Sequence, residues 1–479
     1  LQVDLGSSKP PEEIVLPLLP SGVISGKILD DGDEPVAGCT IQLHRPRIGN
    51  SLSREAVSGS SDDQGNFRLE PLPPDRYVLS AKCEDDLPAE HILDVNPARG
   101  FEIAETWQRV FYQDSLTFGG ATELGVAAGR EVLIELHVKP QSVKTLRGVV
   151  TSSPGTPPKK LTQVYLARTG NGLDPTEYEN DAVNMEDGSF RFVAVEPGSY
   201  ILSAQSWDAA SETRYWARLP VTVGETAPAR VELRLQPMPG ITGRVQLGPV
   251  PVQVQPAKDA QGPDTATGQD QPDDPQPKGI LTFTPVPRAD QLSDYQATVN
   301  PKDGAFRVPG IPPGRWKVHY YSQRQPAWIE SIQYGDASRE DREIEVAPAS
   351  AAPLLIRAST QFAGTSFDLK IPSNAPRSSW VVYAVPETTL RLDAPVVAAI
   401  GFPETLSLVT KLPPGPYRFF AAPRTSGGGV FNERFAELLS RQVEPVEIST
   451  NLEKTIEVRC FLDAEVQRVI NSYIAGDAR

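Results

Sequence analysis

Four stretches of this chain repeat one local arrangement: LPPDRYVLSAK at 72–82, VEPGSYILSAQ at 195–205, IPPGRWKVHYY at 311–321 and LPPGPYRFFAA at 412–422. In each, proline fixes φ and the next residue, glycine in three of the four, turns the chain. A strand of period two follows. Tyr77, Leu79 and Ala81 share a face, as do Tyr200, Leu202 and Ala204, Trp316, Val318 and Tyr320, and Tyr417, Phe419 and Ala421. Such a turn starts a strand with an aromatic ring aimed at a core. Its recurrence reads as one fold built four times, not as one site used four times.

The surrounding segments repeat as well. Each unit opens with glycine in an alternating run: ISGKILD at 24–30, LRGVVTS at 146–152, ITGRVQL at 241–247 and FAGTSFDLKI at 362–371. Three units then carry an Asp/Gly turn that launches a strand, DDQGNFRLEPL at 62–72, MEDGSFRFVAV at 185–195 and PKDGAFRVPGI at 301–311, where Gly supplies the left-handed conformation. The fourth lacks that turn and keeps only alternation, in TLSLV at 405–409. Each closes with VLIELHV, ARVELRL, APLLIRA or KTIEVRC. Short strands with regular turn signals predict β-sandwiches. The aromatic after each turn takes the position of a tyrosine corner. Trp316 has no hydroxyl, so packing is the role expected to be common to all four.

Composition sets outer limits. Proline is 47 of 479 residues, close to twice the usual share of about 5%, as suits short strands joined by turns. The net charge of −15 repels phosphate, so nucleic-acid partners and anionic membrane surfaces are not expected. No run of 18 apolar residues reads as a membrane span. The sequence begins at Leu1, which fits removal of a signal peptide. Cys39 and Cys83 share parity with the core-facing residues of their strands, so a disulfide between them competes with a reading as two buried thiols; Cys460 is left over.

The succession G-x-V, D-x-x-G-x-F and P-P-G-x-Y-x-L-x-A resembles the carboxypeptidase regulatory-like domain, a transthyretin-like β-sandwich of about seven strands. Three units carry the whole pattern and the fourth its second half, over roughly residues 22–460. Residues 109–132 and 417–448 resemble the segment before the last strand, and the terminal unit, of secreted multi-unit bacterial members. The resemblance implies fold and an exported location more than activity, because the domain serves as an accessory module. Related pilin domains join a first-strand lysine to a last-strand asparagine. Lys27 and Lys370 lie near first strands, but the closing runs contain no asparagine, so no such cross-link is expected.

Three segments fall outside the repeats. Residues 249–279, rich in Pro, Gln and Asp, read as a surface loop. At the N-terminus, Ile14, Val15, Leu16, Leu18 and Leu19 form an apolar arm in which Pro17 forbids a central strand. The arm suits an edge strand on its own unit or a strand added to a neighbouring subunit. The C-terminus reads as a helix with Asp463 as N-cap and Gly476 past its end. Leu462, Val466, Val469, Ile470 and Tyr473 form its apolar stripe, which packs on its own unit or serves as a docking surface. Residues 431–441 read as a second short helix.

Signals for chemistry are sparse. His44, His91, His137 and His319 lack metal-ligand spacing, and His319 is expected on an outer strand face. There is no HExxH, G-x-S-x-G, Walker or G-x-G-x-x-G motif, and DDGDEP at 30–35 reads as a solvated turn rather than a calcium loop. Trp207, Tyr215 and Trp216, expected in a loop between two strands, are candidates for stacking on sugars; their competing role is to cover the end of the sandwich or the contact between units.

The sequence therefore predicts an all-β tandem array of four Ig-like or transthyretin-like β-sandwiches. The boundaries are an arm at 1–22, units at 23–140, 141–237, 238–359 and 360–460, and a helix at 461–479. The expected function is that of a non-enzymatic, secreted or bacterial cell-surface structural protein, a semi-rigid string that self-associates head-to-tail through its termini into a fibre. A carbohydrate-binding accessory role is the alternative. No cofactor, metal or catalytic residue is expected.

Overall fold

A computed structural model describes residues 20–45, 54–83, 92–96, 100–103, 105–152, 162–169, 178–182, 186–208, 213–224, 230–248, 279–286, 294–322, 326–348, 352–373, 375, 379–388, 390, 392–402, 406–408, 411–424, 433–450 and 454–476. The chain is a tandem all-β array. Four hydrophobic cores succeed one another along it, drawn from residues 24–138, 146–235, 241–358 and 363–460.

The first three units share one plan. The opening strand lies in the middle of a sheet, parallel to the closing strand on one side and antiparallel to the Asp/Gly-launched strand on the other. These triplets are Glu131–His137, Gly22–Leu29 and Asn66–Leu72; Val231–Arg234, Lys144–Thr151 and Ser189–Val195; and Leu354–Ser359, Ile241–Leu247 and Ala305–Val308. In each second sheet the Pro-Gly strand pairs antiparallel with the second strand of its unit: Asp75–Cys83 with Cys39–Arg45, Gly198–Asp208 with Thr162–Arg168, and Gly314–Ser322 with Gly279–Pro285.

The opening glycine has a steric cause. It stands opposite the same position of the closing strand each time, as Gly26↔Ile134, Gly148↔Val231 and Gly243↔Leu354. A Cβ on Gly243 would lie 2.0 Å from the Leu354 carbonyl oxygen and 2.5 Å from the Phe306 ring. The turn glycines Gly65, Gly188 and Gly304 have φ of 72°, 74° and 72°, and their carbonyls each accept a 2.8 Å bond from Ile28, Val150 or Val245 of the opening strand. The carboxylates of Asp62, Asp187 and Asp303 accept the backbone N–H of Asn66, Ser189 and Ala305 at 2.7, 2.9 and 3.0 Å. These bonds hold Asp62 and Asp187 below the usual carboxylate range.

The corner is a hydrogen bond as well as a packing device. The hydroxyls of Tyr77, Tyr200 and Tyr417 donate to the carbonyls of Pro73, Glu196 and Pro413, four residues back, at 2.6, 2.7 and 3.0 Å. The expectation that Trp316 contributes packing alone is corrected: its indole N–H donates to Pro312 at 2.9 Å. The indole carries its donor on a longer ring and reaches the same carbonyl.

The fourth unit departs from the plan. It has one seven-stranded sheet in the order Thr365–Lys370, Lys454–Cys460, Gly415–Pro423, Trp380–Pro386, Val396–Gly401 and Ser407–Leu408, with Pro445–Ile448 added to Gly415–Pro423. In keeping with the missing Asp/Gly turn, no hairpin among the described residues brings a strand to the opening one. Residues Ser407–Leu408 pair instead with Ala399 and Ile400. Parallel pairing of Phe420 with Arg459 and Ala421 with Cys460 carries the sheet around the core. Tyr417, Phe419 and Ala421 face that core, while Phe420 and Ala422 face a second cluster under the helices Glu433–Ser440 and Asp463–Ala475.

The last helix starts one residue earlier than expected. Leu462 is its N-cap, because Glu465 reaches back to the Leu462 N–H at 2.9 Å and satisfies it. Asp463 falls in the first turn, where its charge favours the helix dipole. Gly476, at φ 87°, ends it.

Candidate functional site: the junctions between units

Linker residues pair with strands of the unit before them. Pro140–Ser142 pairs antiparallel with Glu105–Trp107, and Gln236–Pro237 pairs with Tyr215 and Trp216. Trp107 and Trp216 thus lie beside equivalent linkers, as Pro140↔Trp107 and Gln236↔Trp216. The Gly100–Ile103 strand also lies beside Lys144–Thr151 and Ser189–Val195 of the second unit.

Trp207, Tyr215 and Trp216 are not loop residues. They occupy the paired strands Gly198–Asp208 and Thr213–Val223. Alternation sends Tyr215 toward the second core and puts Trp207 and Trp216 on the opposite face. Trp207 is 42% exposed, with the Arg214 guanidinium 5.5 Å from its ring. The same guanidinium lies 5.2 Å from the ring of Tyr295 in the third unit. Arg214 also receives Met238 N–H on its carbonyl at 2.7 Å. The three aromatics therefore form no common platform, and the hairpin that carries them braces the second unit against the third.

Charge fills the next junction. Asp393 of the fourth unit accepts from Arg342 at 2.7 Å and lies 2.6 Å from Lys317 and 3.4 Å from His319, all of the third. The Arg342 side chain is 7% exposed and that of Asp393 is 40% exposed. His319 is therefore half-covered by the next unit rather than on a free outer face. Burial lowers its pKa, and Arg342 and Lys317 add to that effect against the opposing pull of Asp393. A cleft of ≈ 530 Å³ opens beside this cluster, lined by Tyr320, Tyr321, Trp328, Phe362, Leu392 and Lys411. The Trp328 indole donates to the linker carbonyl of Gln361 at 2.8 Å.

The first and fourth units also meet. Arg76 donates to the Tyr473 carbonyl at 3.3 Å, with its guanidinium 5.9 Å from that residue's ring. Arg76 is held by Glu123 at 2.6 Å. Gly125 leaves room for the next turn of the helix, since a Cβ there would lie 2.3 Å from the Ile474 carbonyl oxygen. Val466, Ile470 and Tyr473 are buried, and Leu462 and Val469 pack at the edges of the same fourth-unit clusters. The stripe, read as packing on its own unit or as a docking surface, is thus covered within the chain, and the last helix touches the first unit. Contacts 397 residues apart leave no local pattern by which a sequence reading could find them.

Cys39 and Cys83 stand opposite each other in paired strands and are joined by a disulfide. Cys460 is buried, which pushes its thiol up to about 12. His44 is buried edge-on to Phe118 at 6.0 Å. Asp30 of DDGDEP accepts the N–H groups of Gly32 and Glu34 at 2.8 Å, which is a turn. Among the described residues no three acidic, His or Cys side chains gather as metal ligands. His91, Ile14, Val15, Leu16, Leu18, Leu19 and the 249–278 stretch lie outside the described residues.

No protein-family profile matches the chain, and no curated protein sequence does. Among solved structures, it is similar to the Bacillus anthracis TIE protein at 13% identity and TM-score 0.17, covering 71% of this chain and 50% of that one. It is similar to a streptococcal ancillary pilin at 13% identity and TM-score 0.21, covering 45% and 62%. BcpA, the major pilin subunit of Bacillus cereus, aligns at 9% identity and TM-score 0.16, covering 71% and 99%. The chain spans half the length of the first of these proteins and 62% of the second.

Proposed function

We propose that this chain is a non-enzymatic structural protein of the cell exterior, in which four units of the carboxypeptidase regulatory-like kind act as one braced module. The observation that carries the reading is the contact of Arg76 with Tyr473, which joins the first unit to the last. The disulfide supports an oxidising compartment. Polysaccharide binding gains nothing from Trp207, Tyr215 and Trp216, whose hairpin lies at a junction.

Small-angle scattering on the purified chain tests this. A unit of ~100 residues has a radius of gyration of about 13 Å, so four units in line reach well over ~100 Å and a closed set does not. A compact particle that lengthens in Arg76→Ala is the expected result. An extended wild-type particle counts against the closed module.

Head-to-tail fibres are the second reading. The helix that reaches the first unit of its own chain offers the same contact to another copy if it exchanges. Light scattering separates the two: a monomer at every concentration removes the fibre.

A further inference from the structure

We propose that the cleft between the third and fourth units binds a sugar that carries a carboxylate, the sugar ring against Tyr321 and the acid group on Lys411. The cleft measures ≈ 530 Å³. Ligand clefts run from about 300 to 1,000 Å³, so this one has room for about one or two sugar rings. It lies apart from the contact of Arg76 with Tyr473, so the proposal goes beyond the braced module and does not rest on it.

The strand Gly314–Ser322 sets the first wall. Trp316 and Val318 point into the third core and Tyr320 packs at its margin, so Lys317, His319 and Tyr321 stand in a row on the outer face. Asp393 of the fourth unit meets the first two, at 2.6 Å from Lys317 and 3.4 Å from His319. Tyr321 stands beyond that contact and is 65% exposed. The fold does not require a ring there: the same place in the other three repeats holds Lys82, Gln205 and Ala422. A ring left exposed on the wall of a cleft offers a flat apolar face with a hydroxyl at its edge, which matches a sugar.

The fourth unit supplies the charge. Lys411, just before its corner, lines the cleft and has no ion-pair partner among the described residues. The next residue, Leu412, is buried, and its carbonyl accepts from Ala363 at 3.0 Å, which fixes the backbone that carries the lysine. Arg342 also lines the cleft, but Asp393 answers it at 2.7 Å. Asp393 is the one acid among the described residues that line the cleft. Lys411 is left to meet an anion of one charge. A carboxylate supplies that, whereas a phosphate group brings about −1.5 to −2. A bond from an ammonium to a carboxylate is roughly twice as strong as one between neutral groups.

The walls are held before a ligand arrives. Trp328 is tied to the linker at Gln361, and Arg342 to Asp393 across the junction, so little ordering remains for binding to impose. The net charge of −15 opposes an anion at long range. At physiological salt that repulsion is screened beyond about 8 Å, which leaves the nearby lysine and ring to decide.

Calorimetric titration of the full chain with digalacturonate at physiological salt tests the assignment, beside neutral digalactose and a sulfated galactose disaccharide. Saturable binding of digalacturonate is expected, with the neutral disaccharide at least about tenfold weaker. Tyr321→Ala and Lys411→Gln are each expected to weaken it at least about tenfold. Tyr321→Phe, which keeps the ring, is expected to retain most of the affinity, and Lys82→Ala, at the same place in the first unit, all of it. Both cleft side chains are exposed, so thermal melts of the variants are expected to match the wild type. No saturable binding of digalacturonate up to about 10 mM overturns the proposal. Equal affinity for the neutral disaccharide, tighter binding of the sulfated one, or an affinity unchanged in either Tyr321→Ala or Lys411→Gln overturns it as well.

Discussion

The indole of Trp316 donates its N–H to the carbonyl of Pro312 at 2.9 Å, the bond that a tyrosine hydroxyl makes in each of the other three units. Four copies of one corner, one of them made with different chemistry, show that the bond is kept and not only the ring. Tyr77→Phe, Tyr200→Phe and Tyr417→Phe remove the hydroxyl and leave a carbonyl without its partner. Each is expected to lower the stability of its own unit by about 1 kcal/mol in denaturant melts. Trp316→Phe also loses ring volume and is expected to cost more, about 2–3 kcal/mol. Unchanged midpoints for all three tyrosine variants would reduce the corner to packing.

The Asp393 cluster makes the third junction sensitive to acid. Burial lowers the pKa of His319. In Asp393 burial acts upward, yet Arg342, Lys317 and His319 outweigh it and hold the carboxyl low. Both groups bind protons less readily folded than unfolded. Their stabilisation is therefore present above the unfolded values, about 6.5 and 3.9, and is lost as pH falls through the folded ones. Thermal melts between pH 8 and 3 are expected to show a loss beginning near pH 6.5, and His319→Gln removes that first step alone. A flat profile down to pH 5 in the wild type contradicts the sign.

Arg214 stacks against Trp207 and Tyr295 across the second junction. Arg214→Ala is expected to weaken that junction by about 1 kcal/mol and to raise the solvent accessibility of Trp207. Acrylamide quenching of Trp207, in a chain whose other tryptophans are replaced by phenylalanine, reads it directly. Quenching equal to that of the same background with Arg214 intact means the stack does not hold the units.

The disulfide closes a stretch of 44 residues in the first unit. Chain entropy assigns such a closure up to about 4 kcal/mol. Cys39→Ala with Cys83→Ala is expected to lower the first unfolding transition and leave the cores of the second and third units untouched. Loss spread evenly over all four units means that the junctions couple them more tightly than their separate cores indicate.

Much of the fold was legible because its causes are local. Asp and Gly spacing places the turns, period two aims Tyr77, Tyr200 and Tyr417 at their cores, and Gly243 marks the close approach of Leu354. The junctions were not. Nothing near Arg76 in sequence points to Tyr473, and nothing near Asp393 points to Arg342. Parity put His319 on an outer face, but the following unit covers that face. Trp207 and Trp216 read as loop rings because the two strands that carry them, Gly198–Asp208 and Thr213–Val223, run 11 residues each, longer than the other repeats predict.

The parallel pairing of first and last strands has a mechanical meaning. Where Gly22–Leu29 lies beside Glu131–His137, and Lys144–Thr151 beside Val231–Arg234, the two ends of a unit leave from opposite ends of adjacent strands. Tension along the chain then loads the rungs between those strands in shear, all at once, instead of peeling them one by one. Under load, the docked C-terminal helix yields first and gives length, while each sandwich resists until its whole ladder fails together.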